Sequence, residues 1–182
     1  MSGLTLRAAT RADIPVLMPL MDTAIRELLK PYLDPAGIEA SFEIMGLDTQ
    51  LIDDGTYFAA LLDGEIAGCG GWSRRATLFG GDHAAGRDAG LLNPATDAAR
   101  VRAMYTSPRF TRRGVGRAIL AACEAAARAE GFSRVELVAT MAGQPLYTAC
   151  GYAPIEAMTS TTSTTSRDVT VPLMRMGKRL TV

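Results

Sequence analysis

Residues 99–130 constrain this chain more than any other stretch. ARVRAMYT at 99–106 alternates as a strand, and Pro108 closes it because proline cannot donate to a ladder. SPRFTRRGVGRAIL at 107–120 then passes through a glycine-bearing turn into an Ala-rich helix over 114–130. Ile119, Ala122, Cys123 and Ala126 share one face of that helix. Glu124 and Arg128 form a favourable i,i+4 pair, and Gly131 fits the position just past its end. A strand that feeds a helix through such a turn is a unit of sheets covered by helices. It is also an anion site, because the first amides of a helix are unpaired and carry partial positive charge. Gly114 and Gly116 clear the approach of a phosphate to the backbone, with Val115 between them. Arg112, Arg113 and Arg117 add fixed charge, each such hydrogen bond contributing about 1.5–3 kcal/mol. The P-loop pattern G-x-x-x-x-G-K-[ST] is absent. So is G-x-G-x-x-G, since Ile119 stands where its third glycine belongs.

The remaining elements arrange themselves around this unit. GLTLRAA at 3–9 alternates as a short strand. Thr10 and Asp13 resemble a capping box ahead of a helix with Ile14, Leu17, Met18, Met21, Ile25 and Leu28 on one face. Pro19 is expected to kink that helix, and Pro31 to end it near residue 30. Residues 35–52 read as one or two short helices. Thr56–Arg75 reads as a hairpin turning at 63–65, and Gly68, Gly70 and Gly71 point to a bulge or a close approach in its second strand. Residues 76–98 carry no periodicity and are expected to form a lid or a mobile loop. SRVELVAT at 133–140 is a strand, and a short helix follows near 143–150. The Thr/Ser run at 159–166 is expected to end a strand and turn. DVTVPLMRMG at 168–177 closes the chain as a strand, with Pro172 at an edge or bulge. The whole is an α/β (α+β) arrangement: one mixed central sheet of about six to seven strands flanked by helices. A chain of 182 residues fits one domain.

Charge and cysteine usage exclude several classes. Nineteen basic residues balance 19 acidic ones, which argues against a uniformly basic nucleic-acid binder. No apolar run is long enough to span a membrane, and the first residues do not read as a secretory signal. Cys69, Cys123 and Cys150 form neither a disulfide framework nor a metal pair, and read as free thiols in a reducing cytoplasm. Cys150 has no His near it in sequence to make it a nucleophile, and the lone His83 reads as a solvated loop residue. The neutral total hides an asymmetry. Residues 100–117 hold six arginines and no acid, residues 31–73 hold eight acids and no Lys or Arg, and the remainder holds 13 basic and 11 acidic residues. The basic run suggests a surface for an anionic cofactor, and the acidic run one for a cationic partner.

TRRGVG at 111–116 resembles the pyrophosphate motif [Q/R]-x-x-G-x-[G/A] of the GNAT-type N-acetyltransferases, with Thr111 at the position of Gln or Arg. LRAATRADIPVL at 6–17, PLYTACGY at 145–152 and VPLMRMGKRL at 171–180 are similar to the family's opening, Tyr-x-x-x-Gly-aromatic and closing segments. The resemblance implies a single GNAT-like domain over residues 1–182 that uses acetyl-CoA as co-substrate. It would transfer the acetyl group to a small-molecule or peptidyl primary amine by direct attack on the thioester. It implies that Tyr147 protonates the departing sulfur, a phenol of pKa about 10 being protonated at neutral pH. Backbone groups of Met104, Tyr105 and Thr106 would hold the pantetheine arm, the turn Thr111–Arg117 the phosphates, and Thr140 would stand where the family often has an Asn contacting CoA. Glu43, Asp97 or a water chain are candidates for the base. The acidic run would flank a cationic acceptor, and the final strand would be free to pair across a homodimer. A non-catalytic acyl-CoA-binding module on the same fold is the alternative.

Overall fold

The computed structural model describes residues 3–163 and 167–181. Seven strands form one mixed sheet: β1 (Leu4–Ala8), β2 (Tyr57–Leu62), β3 (Glu65–Ser73), β4 (Ala99–Thr106), β5 (Arg134–Thr140), β6 (Ala153–Ser163) and β7 (Asp168–Arg179), in the order β1-β2-β3-β4-β5-β7-β6. All neighbours are antiparallel except β4 and β5. Helices α1 (Ile14–Leu28), α2 (Pro35–Ser41) and α3 (Thr49–Asp53) precede β2, α4 (Val115–Ala129) follows β4, and α5 (Gln144–Ala149) follows β5.

Local chemistry explains these boundaries. The Asp13 carboxylate accepts the Thr10 amide at 2.8 Å, as a capping box requires, and closes a 3-10 turn that leads into α1. That helix runs unbroken through Pro19 and buries Leu17, Met21, Ala24 and Ile25. Asp34 caps α2, accepting from the Gly37 amide at 2.8 Å. Two apolar layers sandwich the sheet. Trp72, Phe132, Leu120 and Cys123 belong to the layer under α4, and Leu17, Ile25, Leu51 and Tyr57 to the layer under α1 and α3. Glycines let α4 press onto β3: a Cβ on Gly68 would stand 2.6 Å from a Val115 methyl, and one on Gly70 would stand 2.9 Å from Ile119. The register of β3 against β4 shifts between Cys69 and Gly71, so the three-glycine run marks both a close approach and a bulge.

Four expectations need correction. Residues 76–98 are not a free lid. The Ala76 amide donates to the Gly90 carbonyl, Thr77 to Asp88, and Leu92 to Arg74, each at 2.8 Å, so the excursion is a hydrogen-bonded arm folded back on itself. Glu124 does not pair with Arg128; Lys178 of β7 reaches it at 2.8 Å. The final strand lies between β5 and β6 over residues 173–177, so it offers no free edge there, and β6 borders the sheet instead. Pro172 sits one residue beyond the last β5 pairing, Thr140 with Leu173, where β7 is locally an edge. His83 is not simply solvated, since its Nε2 meets the Phe42 carbonyl. The strand part of the Thr/Ser run continues to Ser163, and residues 164–166 lie outside the described residues.

Candidate functional site

The site begins where β4 and β5 part. They pair only at Ala99–Val135 and Arg100–Glu136, and the second pair is reinforced by a 2.9 Å ion pair between the same two residues. Beyond Arg100 the strands diverge. Ala103 lies just past that point at φ +52°, a left-handed conformation that side chains other than glycine disfavour. The buried Tyr57 hydroxyl donates to the Ala103 carbonyl at 2.7 Å and holds the bulge in place. The edge of β4 that faces β5 therefore opens onto a cavity of about 220 Å³. Met104, Tyr105 and Thr106 line it from β4, Thr140 from β5, Gly116 from α4, and Leu146 and Tyr147 from α5.

At one mouth of this cleft lies the glycine turn. A 3-10 turn over Pro108–Phe110 ends at Thr111, whose hydroxyl bonds back to the Pro108 carbonyl at 3.4 Å. Arg112 (φ +63°) and Gly114 (φ +85°) then reverse the chain into α4. Ala118 is the first residue whose amide reaches a helical carbonyl, that of Gly114 at 2.9 Å. Among the described residues the amides of 112–117 donate to no protein acceptor, which leaves a row of donors at a 15-residue helix N-terminus. The two glycines serve different ends. Gly114 has nothing within 4 Å of its would-be Cβ and is required for its φ. A Cβ on Gly116 would stand 2.8 Å from Leu146 at the cleft wall.

Tyr147 stands at the junction of turn and cleft. It packs against Tyr152 at 6.0 Å between ring centroids, and its hydroxyl has no hydrogen-bond partner among the described residues. Burial pushes the phenol well above its usual pKa, so the proton stays on oxygen. Thr140 is engaged with its own turn, its hydroxyl accepting from the Gly143 amide at 3.3 Å.

The acetyltransferase (GNAT) family model matches residues 21–152. The chain belongs to that family. No curated protein sequence matches this acetyltransferase. Several solved structures share its fold. A GCN5-related N-acetyltransferase from Rhodopseudomonas palustris is 20% identical, with a TM-score of 0.70 over 99% of this chain and 98% of that one. A phosphinothricin acetyltransferase from Sinorhizobium meliloti in complex with AcCoA is 19% identical, with a TM-score of 0.64 over 97% and 88%. A PaiA N-acetyltransferase from Thermoplasma acidophilum in complex with coenzyme A is 12% identical, with a TM-score of 0.62 over 97% and 99%.

The acetyltransferase does not use its charges as the sequence suggests. Of the six arginines in 100–117, Arg100 pairs with Glu136 and Arg109 with Glu65 at 2.5 Å. Arg102 is buried against Asp48 at 2.8 Å and also meets the Gly80 carbonyl. Arg113 lies 3.9 Å from Asp63, and Arg112 and Arg117 make no ion pair among the described residues. The acidic run is neutralised in the same way: Asp53 pairs with Arg11, Asp54 with Arg75, and Asp48 with both Arg87 and Arg102. Among the described residues no carboxylate lines this cavity, while Asp22 and Asp82 line an adjoining groove that shares Ile25, Met45 and Gly46 with it. Asp97 is held at the start of β4, accepting the Asn93 amide at 2.7 Å, at the opposite end of that strand from the turn, and Glu43 is exposed outside the cleft. The carboxylates of the 31–73 run thus do not line the cavity wall, and the two acids beside it, Asp22 and Asp82, come from outside that run. Sequence reasoning missed Tyr57, Asp48 and the role of Arg102; an arginine set between Val101 and Ala103 within the strand was the signal that could have pointed there. Among the described residues no helix is long and apolar enough to cross a membrane.

Proposed function

We propose that residues 1–182 form one acetyl-CoA-dependent N-acetyltransferase domain acting on a primary amine. The observation that carries this reading is the continuity between the row of free amides at 112–117 and the cleft opened by the parting of β4 and β5. The amides and the exposed Arg112 and Arg117 receive the phosphates of the co-substrate. The unpaired edge of Met104, Tyr105 and Thr106 holds the pantetheine arm and polarises the thioester carbonyl. The amine nitrogen attacks that carbon, the C–N bond forms, and the C–S bond breaks with its electron pair on sulfur. Tyr147 gives its proton to the sulfur, and the proton lost by nitrogen leaves through water and restores the phenol. The amine reacts in its neutral form, since only an unprotonated nitrogen has the lone pair that attacks the thioester. The free thiols, two of them buried, support a reducing cytoplasmic setting.

Acetyl-CoA at millimolar concentration should raise the melting temperature through ligand linkage, and mixing it with amines should release free CoA thiol. Tyr147→Phe should keep the thermal shift and lose about 10²-fold or more in turnover. A thermal shift without thiol release across a broad amine panel would favour the non-catalytic binder. Unchanged turnover in the variant would remove Tyr147 from the reaction.

A further inference from the structure

The groove beside the cavity encloses about 360 Å³ between α1, the segment after α2 and the arm. Its walls are apolar: Met18 and Met21 from α1, and Phe42, Met45 and Leu47 from the chain between α2 and α3. Met18 is 54% exposed, which is unusual for a large apolar side chain unless something covers it. The groove opens into the cavity at Ile25, Met45 and Gly46, which border both. Two carboxylates stand in it. Asp82 is fixed by its own backbone, since its amide donates to the Leu47 carbonyl at 2.9 Å and its Oδ1 accepts the Thr49 amide at 3.0 Å. Its Oδ2 has no partner among the described residues. Asp22 accepts from Arg26 at 3.1 Å through Oδ2, and its Oδ1 is likewise unpaired among the described residues.

The cations nearby do not cancel these acids. Arg26 is shared with Glu39 and lies over the Phe42 ring, so that trio keeps one negative charge and Asp82 adds a second. Arg11, whose charge Asp82 also feels, is held by Asp53 through two bonds at 2.8 and 2.7 Å. His83 faces the groove with its Nε2 hydrogen donated to the Phe42 carbonyl. The Arg87–Asp48–Arg102 cluster has the opposite sign, one positive charge, and its Arg102 borders the cavity rather than the groove. Groove and cavity therefore differ in the sign of their nearest net charge.

Resting on the acetyltransferase reading, we infer that this groove holds the far end of the acceptor, an aliphatic primary amine whose apolar chain carries a second, cationic nitrogen. The charged nitrogen sits between Asp22 and Asp82, the methionines and Leu47 cover the chain, and the reacting nitrogen passes Gly46 into the cavity. Asp22 lies one helical turn, about 5–6 Å, before Ile25, so a chain of about five carbons reaches from the acids to the junction of the two spaces.

Three amines with the same chain test this: 1,5-diaminopentane, pentylamine and 5-aminopentanoate, whose far ends are cationic, apolar and anionic. Calorimetry with CoA present should rank them in that order, the diamine binding at least about fivefold more tightly than pentylamine at low salt, with the gap narrowing as salt rises. Asp22→Asn with Asp82→Asn should bring the diamine within about twofold of pentylamine. Asparagine keeps an oxygen for the Thr49 amide, and Arg26 keeps Glu39, so neither change strips the fold of a partner. The wild-type ranking needs no variant at all. Failure of the diamine to bind, equal or tighter binding of pentylamine or 5-aminopentanoate, or a preference that survives the double substitution each overturns the assignment. Thiol release from acetyl-CoA separates the two readings. Diamine binding through Asp22 and Asp82 without thiol release keeps the groove and sinks the transferase. Thiol release with pentylamine or 5-aminopentanoate as the preferred acceptor keeps the transferase and sinks the groove.

Discussion

The two mouths of the cleft meet charge in opposite ways. On the α4 side, recognition is built from backbone: the amides of 112–117 stand open, and the arginines beside them, Arg112 and Arg117, are exposed. On the α1 side the charge is one side chain, Arg102, buried and locked between Asp48 and the Gly80 carbonyl. Both sets of arginines come from one run of the sequence, yet only the first can meet an anion without loss of structure. Backbone donors at a helix start form as soon as the helix forms, whereas the buried Arg102 guanidinium depends on partners from two distant segments, Asp48 and Gly80. The first mouth should therefore tolerate substitution in stability and fail in binding, and the second should fail in stability.

The largest effect is expected at Asp48. Asp48→Ala strands Arg102 in the interior and removes the side chain that caps α3 through the Gln50 amide at 3.1 Å. Loss of one partner from a buried pair costs about 3–5 kcal/mol. Glu65→Ala breaks the Arg109 pair, which is largely exposed, and should change stability by less than about 1 kcal/mol. Urea denaturation of both variants checks the contrast, and equal losses would erase the distinction between the mouths.

The glycines of the turn sharpen it further. Gly114→Ala places a Cβ at φ +85° and should cost about 1–2 kcal/mol of stability through backbone strain. Gly116→Ala has no such strain; its Cβ displaces Leu146 toward the cavity, so acetyl-CoA affinity should fall while stability changes less. Melting curves and calorimetry with acetyl-CoA on the same two proteins separate the cases. Equal effects on both readouts would mean that the glycines share one role.

This division also sets what the sequence discloses. The turn is legible because its geometry is local: a proline, two glycines and an Ala-rich helix lie within 23 residues of one another, from Pro108 to Glu130. The seven strands are legible for the same reason, since alternation and turn residues act over short spans. The opening between β4 and β5 is not. It depends on Ala103 adopting a left-handed conformation that its residue type does not announce, held by Tyr57 from another strand. The acidic run misleads because composition counts carboxylates without their partners, and Arg11, Arg75 and Arg87 lie outside the run they neutralise. The arm over 76–98 misleads likewise, because its order comes from a ladder between its own ends and from Arg87 reaching Asp48.

The smallest effects are expected from the exposed arginines, and they test the open mouth most directly. Arg112→Ala and Arg117→Ala should each weaken acetyl-CoA binding by about two- to fivefold at low salt, in keeping with exposed charge pairs. The loss should shrink as salt rises, because screening acts on solvent-exposed charges and spares the backbone amides that remain. Arg109→Ala should leave affinity unchanged, since that side chain is engaged with Glu65 beside the β2–β3 turn. Calorimetry of acetyl-CoA binding at two salt concentrations distinguishes the three. A loss at Arg109 equal to that at Arg112 would mean that net charge alone draws the phosphates, and that the row of amides adds no selectivity of its own.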